Sequence, residues 1–133
     1  MVNYRPLIAI PWEYGVNDCF SLVRQYYALK GVVLPDFERP KDIQSSHSLF
    51  LEHAGAAGFV ETTFDDIAVG DMLVMRLGTD APMHAAIYVG DQQILHQRRN
   101  CVSGLEPLNC YYRKRTVAVY RYAADRAASG QAR

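Results

Sequence analysis

Two apolar runs, Met83 to Val89 and Gln93 to Gln97, flank Gly90-Asp91-Gln92. Runs of this kind around a glycine-containing turn read as a β-hairpin. No other stretch constrains the chain as tightly. Side chains along a strand alternate between faces, so a slip of one residue moves every side chain to the opposite face. With Gly90 to Gln92 as a three-residue turn, Val89 pairs with Gln93, Ile87 faces Leu95 and Ala85 faces Gln97. His96 then lies opposite Ala86, and His84 is the next residue along on the same face. Diagonal neighbours of this kind sit roughly 7–8 Å apart. A two-residue turn puts the histidines on opposite faces and separates Ile87 from Leu95. The apolar pattern therefore favours the register in which His84 and His96 converge. The small residues Ala85 and Ala86 fit a strand against which something large packs.

A second stretch, Asn17-Asp18-Cys19-Phe20-Ser21-Leu22-Val23, opens the best-marked helix, about residues 18–30. Asn17 or Asp18 is a good N-cap. Leu22, Val23, Tyr26 and Tyr27 recur at helical spacing, Gly31 ends the run, and Pro35 follows. Cys19 falls in the first turn, where free backbone N–H groups and a partial positive charge favour an anion. The thiolate is the reactive form of cysteine, so Cys19 reads as a candidate nucleophile. Such a nucleophile needs a base and a group to orient that base. His84 and His96 are the candidates for those roles. The same residues also read as a buried thiol beside ordinary strand histidines. A zinc set of Cys19, His84 and His96 is a third reading, without CxxC or HExxH spacing to support it. His47 and His53 fall on a second helix with no cysteine or carboxylate at ligand spacing, and are set aside.

The remaining chain supplies the frame. Pro6 and Pro11 interrupt residues 1–16, and Leu34 to Pro40 lies in a proline-containing connection over 32–45. The second helix spans 46–54, closed by Gly55 and Gly58. Beyond Gly58 the pattern changes to strands: an edge strand from Phe59 to Phe64, a turn at Val69-Gly70-Asp71, and an apolar strand from Met72 to Leu77. A loop over 78–82 leads into the hairpin. Residues 98–108 read as a loop, 109–112 as a short turn, and 116–122 as the last strand. Helices followed by a run of antiparallel strands argue an α+β fold. A chain of 133 residues suits one domain, drawn here as 1–122, with 123–133 as a frayed tail.

Composition excludes several classes. Hydrophobic residues make up 50% and charged residues 21%, a folded rather than a disordered balance. Fourteen basic residues match fourteen acidic ones, so charge does not point to nucleic acid. Eight Arg and Lys nevertheless lie between Arg98 and Arg133, against Glu106 and Asp125. They read either as a docking surface for a polymer or partner, or as a solvated face with a basic tail. No apolar run approaches the roughly 18 residues of a membrane helix. Met1 to Trp12 lacks a signal-peptide pattern. Three cysteines are too few and too odd for a disulfide framework, leaving a Cys101–Cys110 bridge or reduced thiols open.

Asp18-Cys19-Phe20-Ser21-Leu22-Val23, Gly70-Asp71-Met72-Leu73, His84-Ala85-Ala86-Ile87-Tyr88-Val89-Gly90 and Ile94-Leu95-His96 together resemble the NlpC/P60 cysteine peptidases. That family shows a DCSGLV-like helix start, a GDL strand, an HVGIYxG strand and a following strand ending in histidine. The order and gaps agree, with 65 positions from Cys19 to His84 and 12 from His84 to His96. The likeness covers about Tyr4 to Tyr122. The lead from Trp12 to Cys19 and the segment Leu34-Pro35-Asp36-Phe37 look most like the phage subgroup, the tail assembly or tail-tip proteins of long-tailed phages. The resemblance implies a papain-like α+β fold with the nucleophile at a helix N-terminus packed on a central antiparallel sheet. It implies Cys19 as nucleophile, His84 as base and His96 as orienting residue. The implied reaction is acyl transfer through a thioester, at a bond between D-glutamate and a diamino acid in a peptidoglycan stem peptide, without a cofactor.

Phe20 and Ser21 stand where the family has Ser-Gly. Where many members carry an oxyanion-site tyrosine ahead of the helix, Trp12 is the nearest match and Tyr14 the other. Trp12, Tyr14 and Asp18 are the oxyanion or substrate-binding candidates, with Asp18 expected chiefly as the N-cap. The implied partners are the peptidoglycan peptide and other tail proteins, with no nucleic acid. The implied location is the virion tail tip, made in the host cytoplasm and acting in the host cell-wall compartment. A structural tail-tip role with a dispensable site is one alternative. A host cell-wall remodelling hydrolase, which needs an export signal, is another.

Overall fold

The computed structural model describes residues 2–39, 49–79 and 81–124. Six strands form one antiparallel sheet: β1 (Phe59–Thr62), β2 (Met72–Met75), β3 (His84–Gly90), β4 (Gln93–His96), β5 (Gly104–Pro107) and β6 (Thr116–Tyr122). Their spatial order is β1-β6-β2-β3-β4-β5, so the last strand lies between the first two. Helices α1 (Cys19–Leu29), α2 (Leu49–His53) and α3 (Cys110–Arg115) complete the α+β architecture, with a 3-10 turn at Arg5–Leu7.

Helix α1 starts where the sequence predicts. Asp18 adopts extended backbone and accepts the Ser21 N–H at 2.9 Å, satisfying one of the free donors of the first turn. The helix ends at Lys30, with Gly31 at φ +83° beyond it. Phe20, Leu22, Val23, Tyr26 and Tyr27 are buried. They pack on the sheet face that carries Met72, Val74, Ala85, Ile87, Leu95 and Ala118. Each large apolar side chain buried this way contributes roughly 1.5–3 kcal/mol. Tyr27 also donates its hydroxyl to the Gly70 carbonyl at 2.5 Å. The opposite face carries Leu73, Met75, Ala86, Tyr88 and Ile94, covered by Leu108 and by Tyr112 of α3. β2 is therefore buried on both faces, which is why it reads as an unbroken apolar run.

The hairpin holds the expected register with a different turn. Ile87 pairs with Leu95 and Ala86 with His96, as expected. Gly90, however, pairs with Gln93, and Val89 is bulged out of the ladder. The turn is two residues, Asp91 and Gln92, both left-handed at φ 52° and 58°. The expected Val89–Gln93 pair and three-residue turn are thus corrected. A tight turn of this kind matches strand twist, and the bulge absorbs the extra residue that would otherwise flip the face.

Other departures are local. The strands expected over 59–64 and 72–77 stop at Thr62 and Met75. The loop expected over 98–108 contains β5, and the turn expected at 109–112 is the start of α3, capped by the Asn109 side chain. The start of the second helix, His47 and the tail from 125 onward lie outside the described residues. The basic C-terminal part is tied into the fold. Arg121 pairs with the buried Asp71 at 2.9 Å, Arg113 lies over the Phe64 ring, and Arg115 over the Tyr111 ring. Cys19, Cys101 and Cys110 carry free thiols. Among the described residues, no helix is long and apolar enough to cross a membrane.

Candidate active site

A cleft of about 320 Å³ opens where the start of α1 meets the start of β3. Cys19 and His84 line it, with Trp12 and Tyr14 from the lead segment and Arg98 and Tyr111 from the C-terminal part. The lead segment is stitched to the loop after β4. The Ser103 hydroxyl donates to the Leu7 carbonyl at 2.5 Å and accepts the Ile10 N–H at 2.9 Å. The buried Gln97 donates its amide to the Ile10 carbonyl at 2.6 Å. These bonds hold the Trp12 side of the cleft against the Arg98 side. Trp12 and Tyr14 stack with ring centres 6.1 Å apart.

Cys19 is the first residue of α1 and is partly exposed. Its thiol donates to the Met83 carbonyl at 3.5 Å, and the Ala85 N–H lies against the sulfur. The sulfur therefore sits beside the backbone on both sides of His84. Desolvation by the packed atoms around it, together with the neighbouring Asp18 carboxylate, pushes the Cys19 thiol up to about 12. The Ala85 and Phe20 N–H groups and Arg39 act in the opposite direction. The anion-favouring helix start expected from the sequence is thus outweighed in the resting site.

Asp18 is buried and its carboxylate is fully engaged. One oxygen accepts the Ser21 N–H and Arg39 Nη2, and the other accepts the Gly15 N–H at 2.8 Å and Arg39 Nε at 3.0 Å. These donors outweigh the effect of burial and hold its carboxyl below the usual range. Asp18 accordingly serves as the expected cap and as the partner of Arg39. A carboxylate has no proton to give an oxyanion. Arg39 was not singled out from the sequence. Its side chain is nearly as buried as that of Asp18, and it also reaches the Ser21 hydroxyl at 3.0 Å. It ties the proline-containing connection to the helix start.

The histidines converge as the register requires. His84 Nε2 and His96 Nδ1 are hydrogen-bonded at 2.9 Å, with the rings nearly edge-to-face. Burial, the neighbouring His96 and Arg98 hold His84 well below the usual imidazole value. His96 is also lowered by burial, against a pull upward from Glu106. His96 Nε2 lies 2.8 Å from Glu106 Oε2, and the Tyr112 hydroxyl donates to the same oxygen. Arg98 approaches the other Glu106 oxygen at 3.5 Å. Glu106 lies on β5, where Gly104 pairs with His96 and Glu106 with Ile94. It is therefore the diagonal neighbour of His96 on the same face. Neither Glu106 nor Tyr112 was singled out from the sequence. The only signal was a carboxylate two residues after a glycine, inside what reads as a loop.

An α+β domain that sets a cysteine at a helix N-terminus against histidines on an antiparallel sheet has the papain-like architecture. The chain belongs to the NlpC/P60 family, whose sequence pattern it matches over residues 9–121. It is 34% identical over 119 residues to tail tip assembly protein K of Escherichia phage lambda, covering 89% of this chain and 60% of that protein. The chain thus spans about 60% of that relative's length. A Staphylococcus aureus protein of the NLP/P60 family superposes with a TM-score of 0.65 at 17% identity, covering 88% of this chain and 38% of that one. The peptidoglycan hydrolase RipB of Mycobacterium tuberculosis superposes with a TM-score of 0.60 at 19% identity, covering 88% of this chain and 59% of that one. At these identities the two structures show the fold.

Proposed function

We propose that the chain is a cysteine peptidase of a phage tail tip that cuts peptidoglycan stem peptides between D-glutamate and a diamino acid. The observation that carries this reading is the shared cleft, with Cys19 at the start of α1 and His84 hydrogen-bonded to His96. Family membership supports the chemistry, and the name of the phage lambda relative supports the tail-tip setting. The substrate is a peptidoglycan peptide, and the protein partners are other tail components.

Cys19 is the nucleophile, His84 the base and His96 the residue that orients it. The resting pair is a neutral thiol and a neutral imidazole, so the thiol proton moves to His84 as the sulfur attacks the amide carbon. The carbonyl oxygen becomes an oxyanion, held by the Cys19 backbone N–H and by a donor from the lead segment, the Trp12 indole or the Tyr14 hydroxyl. The C–N bond then breaks, and the proton passes from His84 to the leaving amine. Water, deprotonated by His84, opens the thioester and regenerates the thiol. The test is digestion of purified muropeptides followed by mass spectrometry. Cys19→Ala is expected to lower cleavage by at least about a thousandfold while the far-ultraviolet dichroism stays unchanged. Cleavage at the wild-type rate would sink the assignment.

The relative's name also favours a second reading, a structural component whose peptidase site is dispensable. Complementation of tail assembly with Cys19→Ala separates the two. Particles that assemble but fail to infect favour an enzyme used at entry. Particles that assemble and infect normally favour the structural reading.

A further inference from the structure

We propose that Glu106 is a positioning residue: acting through His96, it fixes the tautomer of His84 that keeps a basic nitrogen available to Cys19. This rests on the peptidase reading above. A carboxylate accepts hydrogen bonds and donates none. Tyr112 and His96 hold Glu106 below the usual carboxylate range, so it is ionised at neutral pH. The proton in the 2.8 Å contact between Glu106 and His96 therefore sits on His96 Nε2. A neutral imidazole carries one proton, so His96 Nδ1 is an acceptor. The proton in the 2.9 Å contact between the rings then belongs to His84 Nε2. His84 Nδ1 is left with its lone pair, the form a base needs. One ionised carboxylate thus orders two imidazoles in series.

The surroundings hold Glu106 in place. The Tyr112 hydroxyl donates to the same oxygen that faces His96, and the Tyr112 ring meets the His96 ring at 5.2 Å. When the thiol proton reaches His84 Nδ1, the ring becomes an imidazolium that still donates from Nε2 to His96. The charge that appears is two hydrogen bonds from the Glu106 carboxylate. When the proton leaves with the amine, the starting tautomer returns.

Heteronuclear NMR of the histidine ring nitrogens tests this in the full chain without requiring activity. In the wild type, His84 and His96 are both expected as Nε2–H tautomers. In Glu106→Gln the new amide can donate to His96 Nε2, and both rings are expected to move into mixtures containing the Nδ1–H form. Glu106→Asp should retain more of the wild-type tautomer than Glu106→Gln does. On muropeptides, Glu106→Gln is expected to lower kcat at least about tenfold, with KM within about twofold. A His84 that stays wholly Nε2–H in Glu106→Gln overturns the proposal. So does an Nδ1–H His84 in the wild type, a result that stands even where the variant fails to fold. If Cys19→Ala cleaves like the wild type, the peptidase reading fails, while the tautomer spectra still decide what Glu106 does to His84.

Discussion

Asp18 and Cys19 are neighbours with opposed demands. Asp18 caps α1, a contribution of about 1 kcal/mol in such positions, and it neutralises the buried Arg39. Its charge also disfavours a thiolate one residue away. Helix stability has taken precedence over a pre-formed anion. The consequence can be measured with iodoacetamide. At pH 8 the exposed Cys110 is expected to be alkylated well before Cys19, and the rate at Cys19 should rise about tenfold per pH unit towards pH 10. A peptide map in which Cys19 reacts first at neutral pH contradicts this resting state. Cys19, His84 and His96 were legible in the sequence because each sits where an element begins or ends and keeps family spacing. Glu106 and Tyr112 were not, because their role arises only when β4 pairs with β5 and α3 folds back over the sheet.

The β3–β4 hairpin shows what a strand pattern can and cannot convey. Period-two alternation pointed to the partners of Ile87 and Ala86, because that register sets the apolar pair Ile87 and Leu95 side by side. The bulge at Val89 leaves no mark in that alternation. Its trace is Gly90, which sits at φ +95°, a region that side chains rarely adopt. A Cβ there would also approach Val69 to 3.3 Å. Gly90→Val is therefore expected to cost about 1–3 kcal/mol in chemical denaturation. Because the bulge sets which face His96 occupies, the variant should lose activity beyond its loss of stability. Unchanged stability would show that the turn relaxes freely. β5 escaped notice for a different reason. Gly-Leu-Glu-Pro has little strand propensity, and an edge strand needs only one partner to hold it.

On acidification, four titrating groups at the site act in one direction. His84 and His96 lie below the usual value of 6.5, and Asp18 and Glu106 lie below their usual carboxylate values. At acidic pH the unfolded chain therefore binds more protons than the folded one, and stability falls as pH falls. The loss begins near pH 6.5 with the histidines and continues at lower pH with the carboxylates. Thermal unfolding from pH 8 to pH 5 is expected to show a falling midpoint below about 6.5, and the fall should flatten in a His84→Gln, His96→Gln double variant. A midpoint that rises on acidification refutes this account. At this scale the α+β class and most elements were legible, because helical spacing gives way to strand alternation at Gly58. The order of strands was not, since alternation says which face a residue takes and nothing about which strand lies beside it.

That strand order bears on synthesis. β6 lies between β1 and β2 and supplies the hydrogen-bonding partner each of them needs. While the chain is still being made, the edge of β2 and the whole of β1 wait unpaired until Thr116 to Tyr122 has left the ribosome. The sheet closes late, through contacts between distant parts of the chain, which is a slow way to fold. A nascent or truncated chain would therefore carry Cys19, His84 and His96 without the scaffold that brings them together.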